Sequence, residues 1–508
     1  MPEAVEVRPV DEHNQILVNN VHPPDWKNPE PAPRYHLVVI GAGSAGLITA
    51  LGAAGIGAKV ALIEKHLLGG DCLNYGCVPS KGVIRAARAV ADARESQQFG
   101  LRLNGSVECD FAAAMERMRR LRAKISHHDS AKRVSDLGVD VFLGQAEFVS
   151  RNTIEVGGKR LNFKRAVIAS GASPVVPAVP GLAEAGFLTN ETVFSLTERP
   201  NRLLVIGAGP IGCELSQAFL RLGSKVTLVE NAPQFLTRED RDAAEILHKR
   251  FAAEGMDVRV NTKLLRVEKT GAAKRAYLSQ DGKESTLEAD QILVGVGRAP
   301  NVKGLDLEAA GVQYDDHQGV IVNDHLQTTN PAIFAAGDIC LKFKFTHTAD
   351  ATARMVIQNA LFPFLPKKKL SSLVIPWCTY TDPEIAHVGM YEKDAREKGI
   401  EVDTFIRHFD DVDRAILDGE DEGFVKIHVK RGTGRILGAT IVARHAGEMI
   451  SELTAAIVGG VGLKSLSGVI HPYPTQAEAI RQVADRFNAS RLTDRVKKIF
   501  ALWFRFFR

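Results

Sequence analysis

The sequence lacks several features that would each indicate a distinct class of protein. Its 508 residues contain no run of about 18 apolar residues, so no membrane-spanning helix is predicted. The N-terminal stretch MPEAVEVRPVDEHNQ has no apolar centre and does not resemble a secretory signal. The formal net charge is only +4, which gives no basis for nucleic-acid binding. The length favours about three domains of roughly 150 residues each.

Cysteine is also scarce. The chain has six cysteines, at Cys72, Cys77, Cys109, Cys213, Cys340 and Cys378. The last four are scattered singly, and we interpret them as buried thiols because this spacing is not that of a disulfide framework. The pattern predicts a cytoplasmic protein.

The most informative feature that is present is a duplication. The stretches LVVIGAGSAGLITALGAAGIGAKVALIEK (37–65) and LLVIGAGPIGCELSQAFLRLGSKVTLVEN (203–231) align without a gap. Each begins with a short apolar run typical of a buried parallel strand and continues through GxGxxG into a helical stretch. Each ends in a second apolar strand closed by an acid, Glu64 or Glu230. The sequence therefore predicts two Rossmann-like units.

The chemistry of dinucleotide binding needs this layout. Glycines permit the tight turn and the close approach of a pyrophosphate to the helix N-terminus, and the closing acid accepts hydrogen bonds from a ribose. The predicted contacts in the first unit are Gly41, Gly43, Ser44, Ala45, Gly46, Glu64 and Lys65, and those in the second are Gly207, Gly209, Gly212 and Glu230. A carboxylate at Glu230 favours NADH over NADPH, although Arg238 and Arg241 could serve a 2′-phosphate.

A pair of cysteines follows the first unit in GGDCLNYGCVPSK (69–81). In a regular helix Cys72 and Cys77 would point about 140° apart, so they can pair only across a distorted turn. Asn74-Tyr75-Gly76 supplies residues that favour such a turn. A helix N-terminus lowers thiol pKa values, which favours a reactive thiolate here. Two inert thiols and a metal site are the alternatives, but no further ligands accompany the pair, and no metal is predicted.

With these motifs the sequence resembles the flavin-dependent pyridine nucleotide–disulfide oxidoreductases, which include lipoamide dehydrogenase, glutathione reductase and mercuric reductase. The likeness extends from about residue 35 to 490. It includes VGVGRAPN (294–301), TTNPAIFAAGDI (328–339) and YTDPEIAHVG (380–389). It implies FAD in the first unit and NAD(P)H in the second. It also implies electron transfer through a Cys72–Cys77 redox disulfide.

The resemblance assigns roles residue by residue. Cys72 would attack the substrate, and Cys77 would face the flavin in a charge-transfer contact. Lys81 would lie near the flavin and pair with Glu214, and Asp338 would contact the ribityl–phosphate region. The further cofactor contacts expected from the resemblance are Gly70, Lys81, Ser170, Gly171, Gly297 and Gly337.

The expected architecture is an α/β fold with two Rossmann-like dinucleotide-binding domains and a C-terminal α+β dimerisation domain. We expect an N-terminal extension (1–33) that drapes over the surface. The expected domains are an FAD-binding domain (34–170 and 294–365), an NAD(P)-binding domain (171–293), a dimerisation domain (366–490) that makes a homodimer, and a basic amphipathic tail (491–508).

The C-terminal motif VIHPYPTQAEAI (469–480) departs from most of the family. A His followed by Glu at this spacing first suggests an acid–base pair, His471 with Glu478. In lipoamide dehydrogenase and glutathione reductase the acid–base His directly precedes Pro-Thr and reaches the other subunit's disulfide. That position is Tyr473 here, and a phenol with a pKa of about 10 is a poor base at neutral pH. His471 would be a substitute base or a structural residue.

The same motif resembles that of mercuric reductase, where a Tyr faces the partner's cysteines, and soft metal ions need thiolates more than a base. Yet no cysteine follows Cys378, and no N-terminal CxxC is present. The predicted enzyme reduces a metal ion or a small disulfide. The alternatives are direct reduction of a quinone and a membrane-recruited redox or NAD(H) sensor.

The tail, RLTDRVKKIFALWFRFFR (491–508), carries six basic residues and Asp494, a local charge of +5. Its apolar and basic residues form separate helical stripes. This pattern predicts either peripheral contact with an anionic membrane or packing against the protein body or the dimer partner.

Overall fold

The computed structural model describes residues 5–102 and 104–507. The helices of this part of the chain are α1 (Glu12–Val21), α2 (Ser44–Gly55), α3 (Gly70–Asn74), α4 (Cys77–Glu95), α5 (Phe111–Ser126), α6 (Ala131–Asp136), α7 (Leu182–Ala185), α8 (Pro210–Arg221), α9 (Arg241–Ala253), α10 (Thr346–Leu361), α11 (Glu392–Glu397), α12 (Asp413–Asp418), α13 (Ala446–Val458), α14 (Leu463–Leu466), α15 (Glu478–Ser490) and α16 (Asp494–Phe506).

The strands are β1 (Tyr35–Ile40), β2 (Val60–Glu64), β3 (Val139–Leu143), β4 (Ala146–Ser150), β5 (Thr153–Val156), β6 (Lys159–Ile168), β7 (Ala172–Pro174), β8 (Arg202–Ile206), β9 (Lys225–Val229), β10 (Asp257–Arg259), β11 (Thr262–Thr270), β12 (Ala273–Gln280), β13 (Lys283–Ala289), β14 (Gln291–Val294), β15 (Arg298–Pro300), β16 (Tyr314–Asp315), β17 (Gly319–Val320), β18 (Ile333–Ala335), β19 (Pro376–Thr379), β20 (Glu384–Gly389), β21 (Val402–His408), β22 (Phe424–Lys430) and β23 (Ile436–Ala443).

The chain divides into two compact units. Unit 1 comprises residues 1–233 and 256–373, and unit 2 comprises residues 234–255 and 374–508.

Unit 1 contains both predicted Rossmann-like sheets. In the first, β1 pairs in parallel with β2 and β6, β3 joins β2, and β18 joins β6. In the second, β8 pairs in parallel with β9 and β14, and β10 joins β9. All five residues of β2 are buried, as continuous apolar runs in parallel strands should be. The predicted α/β class with two Rossmann-like folds is confirmed.

Unit 2 is built on an antiparallel sheet in the order β19-β20-β23-β22-β21. Its core lies between this sheet and the helices α13, α14 and α15. The unit also contains α9, which is far away in sequence. Lys426 of β22, buried, binds Asp240 at 2.6 Å and Asp242 at 2.8 Å, and so ties the beginning of α9 to the sheet.

The N-terminal extension corrects an expectation. The polar, Pro-rich composition of residues 1–33 suggested a surface strap, but α1 lies within this segment and buries Leu17 and Val21 completely in the core of unit 1. The two residues are four apart and so share a helix face. Asp11 caps the helix by accepting a hydrogen bond from the Asn14 amide at 2.8 Å.

Of the helices in the described residues, none is both long and apolar enough to cross a membrane. The final helix, α16, buries none of its residues.

Candidate functional site

A break between two helices brings the paired cysteines together. Cys72 lies in α3, which ends at Asn74, and Cys77 is the first residue of α4. Gly76 between them has φ −122° and ψ −114°, and a Cβ there would lie 2.8 Å from the Asp71 carboxylate. This turn allows the Cys72 thiol to hydrogen bond to the sulfur of Cys77, and both are free thiols. The break between α3 and α4 therefore places the two sulfurs against each other.

The two thiols have opposite acidities. The hydrogen bond from Cys72 lowers the pKa of Cys77 to about 6, with further lowering from the Thr346 hydroxyl and the Lys81 ammonium against the opposing effects of burial and Asp71. Donation of the same hydrogen bond, together with burial, raises the pKa of Cys72. The first proton lost from the dithiol therefore leaves a thiolate on Cys77. The position of Cys77 at the N-terminus of a 19-residue helix favours the same charge.

Thr346 was not predicted from the sequence. It is the first residue of α10, and its Oγ1 lies 3.4 Å from the Cys77 sulfur. Its hydroxyl lowers the pKa of both cysteines, which places one hydroxyl against both sulfurs. Nothing in the local sequence FTHTAD distinguishes this Thr, because its neighbours in space are 269 residues away along the chain.

Lys81 and Glu214 are brought together. Lys81 lies one turn after Cys77 on α4, and its Nζ is 2.8 Å from a carboxylate oxygen of Glu214 on α8. Glu214 is buried, whereas the Lys81 side chain is partly exposed. The ammonium group is thereby held on the face of α4 that also carries Cys77.

A second missed group surrounds Asp71, the residue before Cys72. Its carboxylate accepts hydrogen bonds from Asn190 at 2.9 Å and from Arg298 at 3.0 Å. Arg298 lies also 3.7 Å from Asp338. Burial raises the pKa of Asp338, and Arg298 opposes that shift. Arg298 therefore offsets the negative charge of two carboxylates beside the thiol turn, the segment 72–77 that joins the two cysteines.

The first glycine loop fits a bound dinucleotide. Gly41 has φ +95°, and a Cβ there would lie 2.4 Å from the Ala169 carbonyl oxygen. A Cβ on Gly46 would lie 1.7 Å from the Gly41 oxygen. Gly43 caps α2 without a side chain, so the amides of Ser44 and Ala45 open the helix unobstructed. Such an N-terminus binds phosphate.

Other predicted contacts of this unit lie around the same loop. A Cβ on Gly70 would lie 2.6 Å from the Gly43 Cα, and one on Gly337 would lie 3.1 Å from the Ala45 Cβ. These contacts explain why both positions lack side chains. Ser170 and Gly171 follow β6, and Ser170 Oγ donates to the Asn301 carbonyl at 3.0 Å.

The two closing acids have matching surroundings. Glu64 accepts hydrogen bonds from the Ala42 amide at 2.7 Å and the His66 amide at 2.8 Å. Burial raises the pKa of Glu64, while these bonds and Lys65 oppose the shift. Glu230 accepts from Ala208 at 2.8 Å and Ala232 at 2.9 Å. Each carboxylate thus holds its own glycine loop in place while retaining lone pairs for a ribose.

The second loop repeats the first. Gly207 has φ +95°, and a Cβ there would lie 2.6 Å from the Gly295 oxygen. A Cβ on Gly212 would lie 1.9 Å from the Gly207 oxygen. Gly209 caps α8, which begins with Pro210. Gly297, with φ +130°, lies between β14 and β15.

The C-terminal motif does not form the acid–base pair that its sequence first suggests. The His471 ring is buried and contacts Glu452 at 3.0 Å rather than Glu478. Glu478 binds Arg481. Tyr473 is 70% exposed in the chain, and its hydroxyl donates to Asp413 at 2.8 Å. The Asp413 carboxylate raises the pKa of Tyr473 and so makes the phenol a weaker acid.

The N-terminal segment is linked to the thiol turn. The buried Arg122 of α5 donates to the Asn74 carbonyl at 2.7 Å and to the Asn14 side chain at 2.7 Å. Asn14 in turn donates to the Pro9 carbonyl at 2.7 Å. The helix α1 thereby supports the loop that carries the cysteines.

Two of the four remaining cysteines differ from expectation. Cys213 is buried, as expected, whereas Cys109 and Cys378 are partly exposed, so the interpretation as buried thiols is wrong for these two. Cys340 is partly exposed as a residue, but burial raises the pKa of its thiol.

Comparisons with known proteins cover most of the chain. The family described as pyridine nucleotide-disulphide oxidoreductase matches residues 35–353, and its dimerisation domain matches residues 375–484. A mercuric reductase of Lysinibacillus sphaericus is 36% identical over 89% of the chain and 83% of its own length. A dihydrolipoyl dehydrogenase of Mycoplasma pneumoniae is 32% identical over 89% of the chain and 98% of its own. A Cu(II) complex of the HOCl-induced flavoprotein disulfide reductase RclA from Escherichia coli superposes with a TM-score of 0.80 at 28% identity, covering 89% of the chain and 99% of that protein.

Proposed function

The chain belongs to the pyridine nucleotide–disulphide oxidoreductases, and from that premise we propose that its Cys72–Cys77 pair delivers electrons to a soft metal ion. Members of this family are FAD-dependent NAD(P)H oxidoreductases that act through a redox disulfide, and they are homodimers. The matching mercuric reductases and the Cu(II) complex of RclA support a metal-ion acceptor. Small disulfides form the second acceptor class.

The glycine loops, the two cysteines and their neighbours have separate roles in the proposed reaction. FAD, when bound, carries electrons from NAD(P)H to the disulfide, and the glycine loops with Glu64 and Glu230 would hold FAD and the nicotinamide nucleotide respectively. Reduction of the disulfide takes up two electrons and two protons, and near neutral pH one proton leaves from Cys77. Cys72 keeps its proton until its sulfur bonds to the acceptor, and that proton is then released to water. Lys81 and Thr346 stabilise the thiolate on Cys77.

Two features together support the proposal: the thiol of Cys77 is acidic, and position 473, which would face the partner subunit, holds no base. Tyr473 stands where disulfide reductases of the family have His, and its hydroxyl is bound to Asp413 at 2.8 Å. A thiolate that is already formed can ligate a soft metal ion without an added base. Dithiol–disulfide exchange needs a proton acceptor near neutral pH.

A steady-state screen tests this function. The holoenzyme is assayed with NADH against Hg(II), Cu(II), lipoamide, glutathione disulfide and a soluble quinone. We expect turnover with a metal ion and its loss in Cys72→Ser and Cys77→Ser. Lipoamide reduction should rise at least about a hundredfold in Tyr473→His, the lower end of the usual size of a general-base effect. If the wild type reduces lipoamide as well as Tyr473→His does, the proposed role of Tyr473 is wrong. If quinone reduction is retained in both Cys72→Ser and Cys77→Ser, the enzyme instead reduces quinones directly from the flavin.

The preference for NADH is part of the same proposal. The Glu230 carboxylate is bound to two loop amides and would repel a 2′-phosphate. In the same screen, kcat/KM with NADH should exceed that with NADPH by about tenfold, or roughly 1.4 kcal/mol. Equal values would show that the Glu230 carboxylate does not select against a 2′-phosphate.

We also propose the domain limits and the location given by the sequence: a cytoplasmic enzyme with peripheral membrane contact through residues 491–508. The support for the membrane contact is the exposed amphipathic helix α16.

A further inference from the structure

Helix α16 leaves a continuous apolar face uncovered. In the segment 492–507 the exposed fractions of the large apolar side chains, apart from the half-buried Val496, run from 47% for Leu492 to 80% for Phe506. The rings of Trp503 and Phe507 contact each other, with centroids 4.4 Å apart. Single exposed apolar residues are ordinary, but a cluster of this kind marks an interaction surface.

The helix is built as a defined element rather than a frayed end. Thr493 caps it by accepting a hydrogen bond from the Val496 amide at 3.4 Å, and Asp494 occupies the first turn. At 100° per residue, Val496, Ile499, Phe500, Trp503 and Phe507 share one face. The amphipathic arrangement is thus fixed by local sequence.

The opposite face is basic. Lys498 and Arg505 point about 140° and 160° away from Trp503, and Arg495 and Lys497 flank the apolar face on either side. The segment 491–508 has a net charge of +5. Aromatic residues on one face with Lys and Arg on the other match the interface between acyl chains and anionic headgroups.

We infer that α16 docks on an anionic lipid bilayer with its Trp503 face in the acyl region and its basic residues among the headgroups. This inference deepens the proposed location by naming the partner, and it does not depend on the identity of the electron acceptor. A homodimer carries two such helices, so both can engage one surface and bind more tightly than either alone.

Co-sedimentation of the full-length holoenzyme with vesicles tests the inference. The vesicles are either phosphatidylcholine alone or a 3:1 mixture of phosphatidylcholine and phosphatidylglycerol. We expect at least tenfold stronger binding to the anionic vesicles, and a loss of at least tenfold in both Lys497→Glu/Lys498→Glu and Phe500→Ser/Trp503→Ser. The variant Lys263→Glu/Lys269→Glu makes the same charge change at exposed positions of β11 and should bind like the wild type.

The fluorescence of Trp503 gives an independent measurement. The difference spectrum between wild type and Trp503→Phe should shift to shorter wavelength on addition of anionic vesicles, because the indole leaves water. Equal binding to both vesicle types, or binding unaffected by the tail variants, would overturn the inference. Loss of the dimer in the tail variants without a change in vesicle binding would also overturn it, since the helix would then cover the partner subunit. Turnover measured without vesicles reports separately on the proposed redox function.

Discussion

At the scale of single residues, the acidity of Cys77 depends on three neighbours that lie far apart in the sequence. The Cys72 thiol, the Thr346 hydroxyl and the Lys81 ammonium all lower its pKa, which comes to about 6. The thiolate is therefore the main form above pH 6 and is lost as the pH falls below it. Sequence reasoning identified Cys72 and Lys81 through their motif, but it could not identify Thr346.

We predict that Thr346→Val raises the pKa of Cys77. Removal of a hydrogen bond to a charged group costs about 1.5 kcal/mol, which corresponds to roughly one pH unit. The measurement is the pH profile of iodoacetamide alkylation of the reduced holoenzyme, with the modified cysteine assigned by mass spectrometry. The wild-type midpoint should lie near pH 6 and that of Thr346→Val near 7. Thr346→Ser keeps the hydroxyl and should retain the wild-type midpoint; an equal shift in both variants would contradict the role of the hydroxyl.

At the scale of elements, the amino-acid composition around α1 gave a wrong prediction, namely that this segment lies on the surface. Residues 1–33 are polar and rich in proline, and only the four-residue spacing of Leu17 and Val21 indicates a buried face. The contacts of Asn14 with Arg122, and of Arg122 with the Asn74 carbonyl, span 108 and 48 residues. No local pattern reports such contacts. The duplicated strand–loop–helix units, in contrast, were predictable because the residues that form each unit are consecutive in the sequence.

We predict that Asn14→Leu destabilises the protein by about 2 kcal/mol, because the buried Arg122 guanidinium loses an acceptor. Asn19→Leu makes the same change at an exposed position of the same helix and should alter stability by less than about 0.5 kcal/mol. Urea unfolding of both variants and the wild type measures the difference. Equal midpoints for the two variants would show that the hydrogen bond between Arg122 and Asn14 does not stabilise the protein.

At the scale of the whole molecule, the exposed surface of unit 2 is consistent with its membership of a dimerising family. Ile470 is 94% exposed and Tyr473 is 70% exposed in the single chain. Both lie in the region matched by the dimerisation domain. The sequence predicted this region from its motif, but the exposure of Ile470 and the contact of Tyr473 with Asp413 required the structure.

We predict that Ile470→Asp weakens the dimer at least about tenfold, or 1.4 kcal/mol, because the carboxylate would lose its water in the interface. Ile56→Asp changes an exposed apolar residue of unit 1 and should leave the dimer intact. Sedimentation velocity over a range of protein concentrations gives the dissociation constants. A dimer unchanged by Ile470→Asp would place the interface elsewhere.

The salt bridges of Lys426 also have a consequence for synthesis on the ribosome. Lys426 follows Asp240 by 186 residues. At about 5 to 20 residues per second, roughly 10 to 40 s pass between the appearance of the two partners. During that time Asp240 and Asp242 lack their cation, and unit 2 cannot close around α9. Unit 2 can therefore close around α9 only after β22 has been synthesised, whereas the first β-α-β unit can form as soon as its own residues emerge.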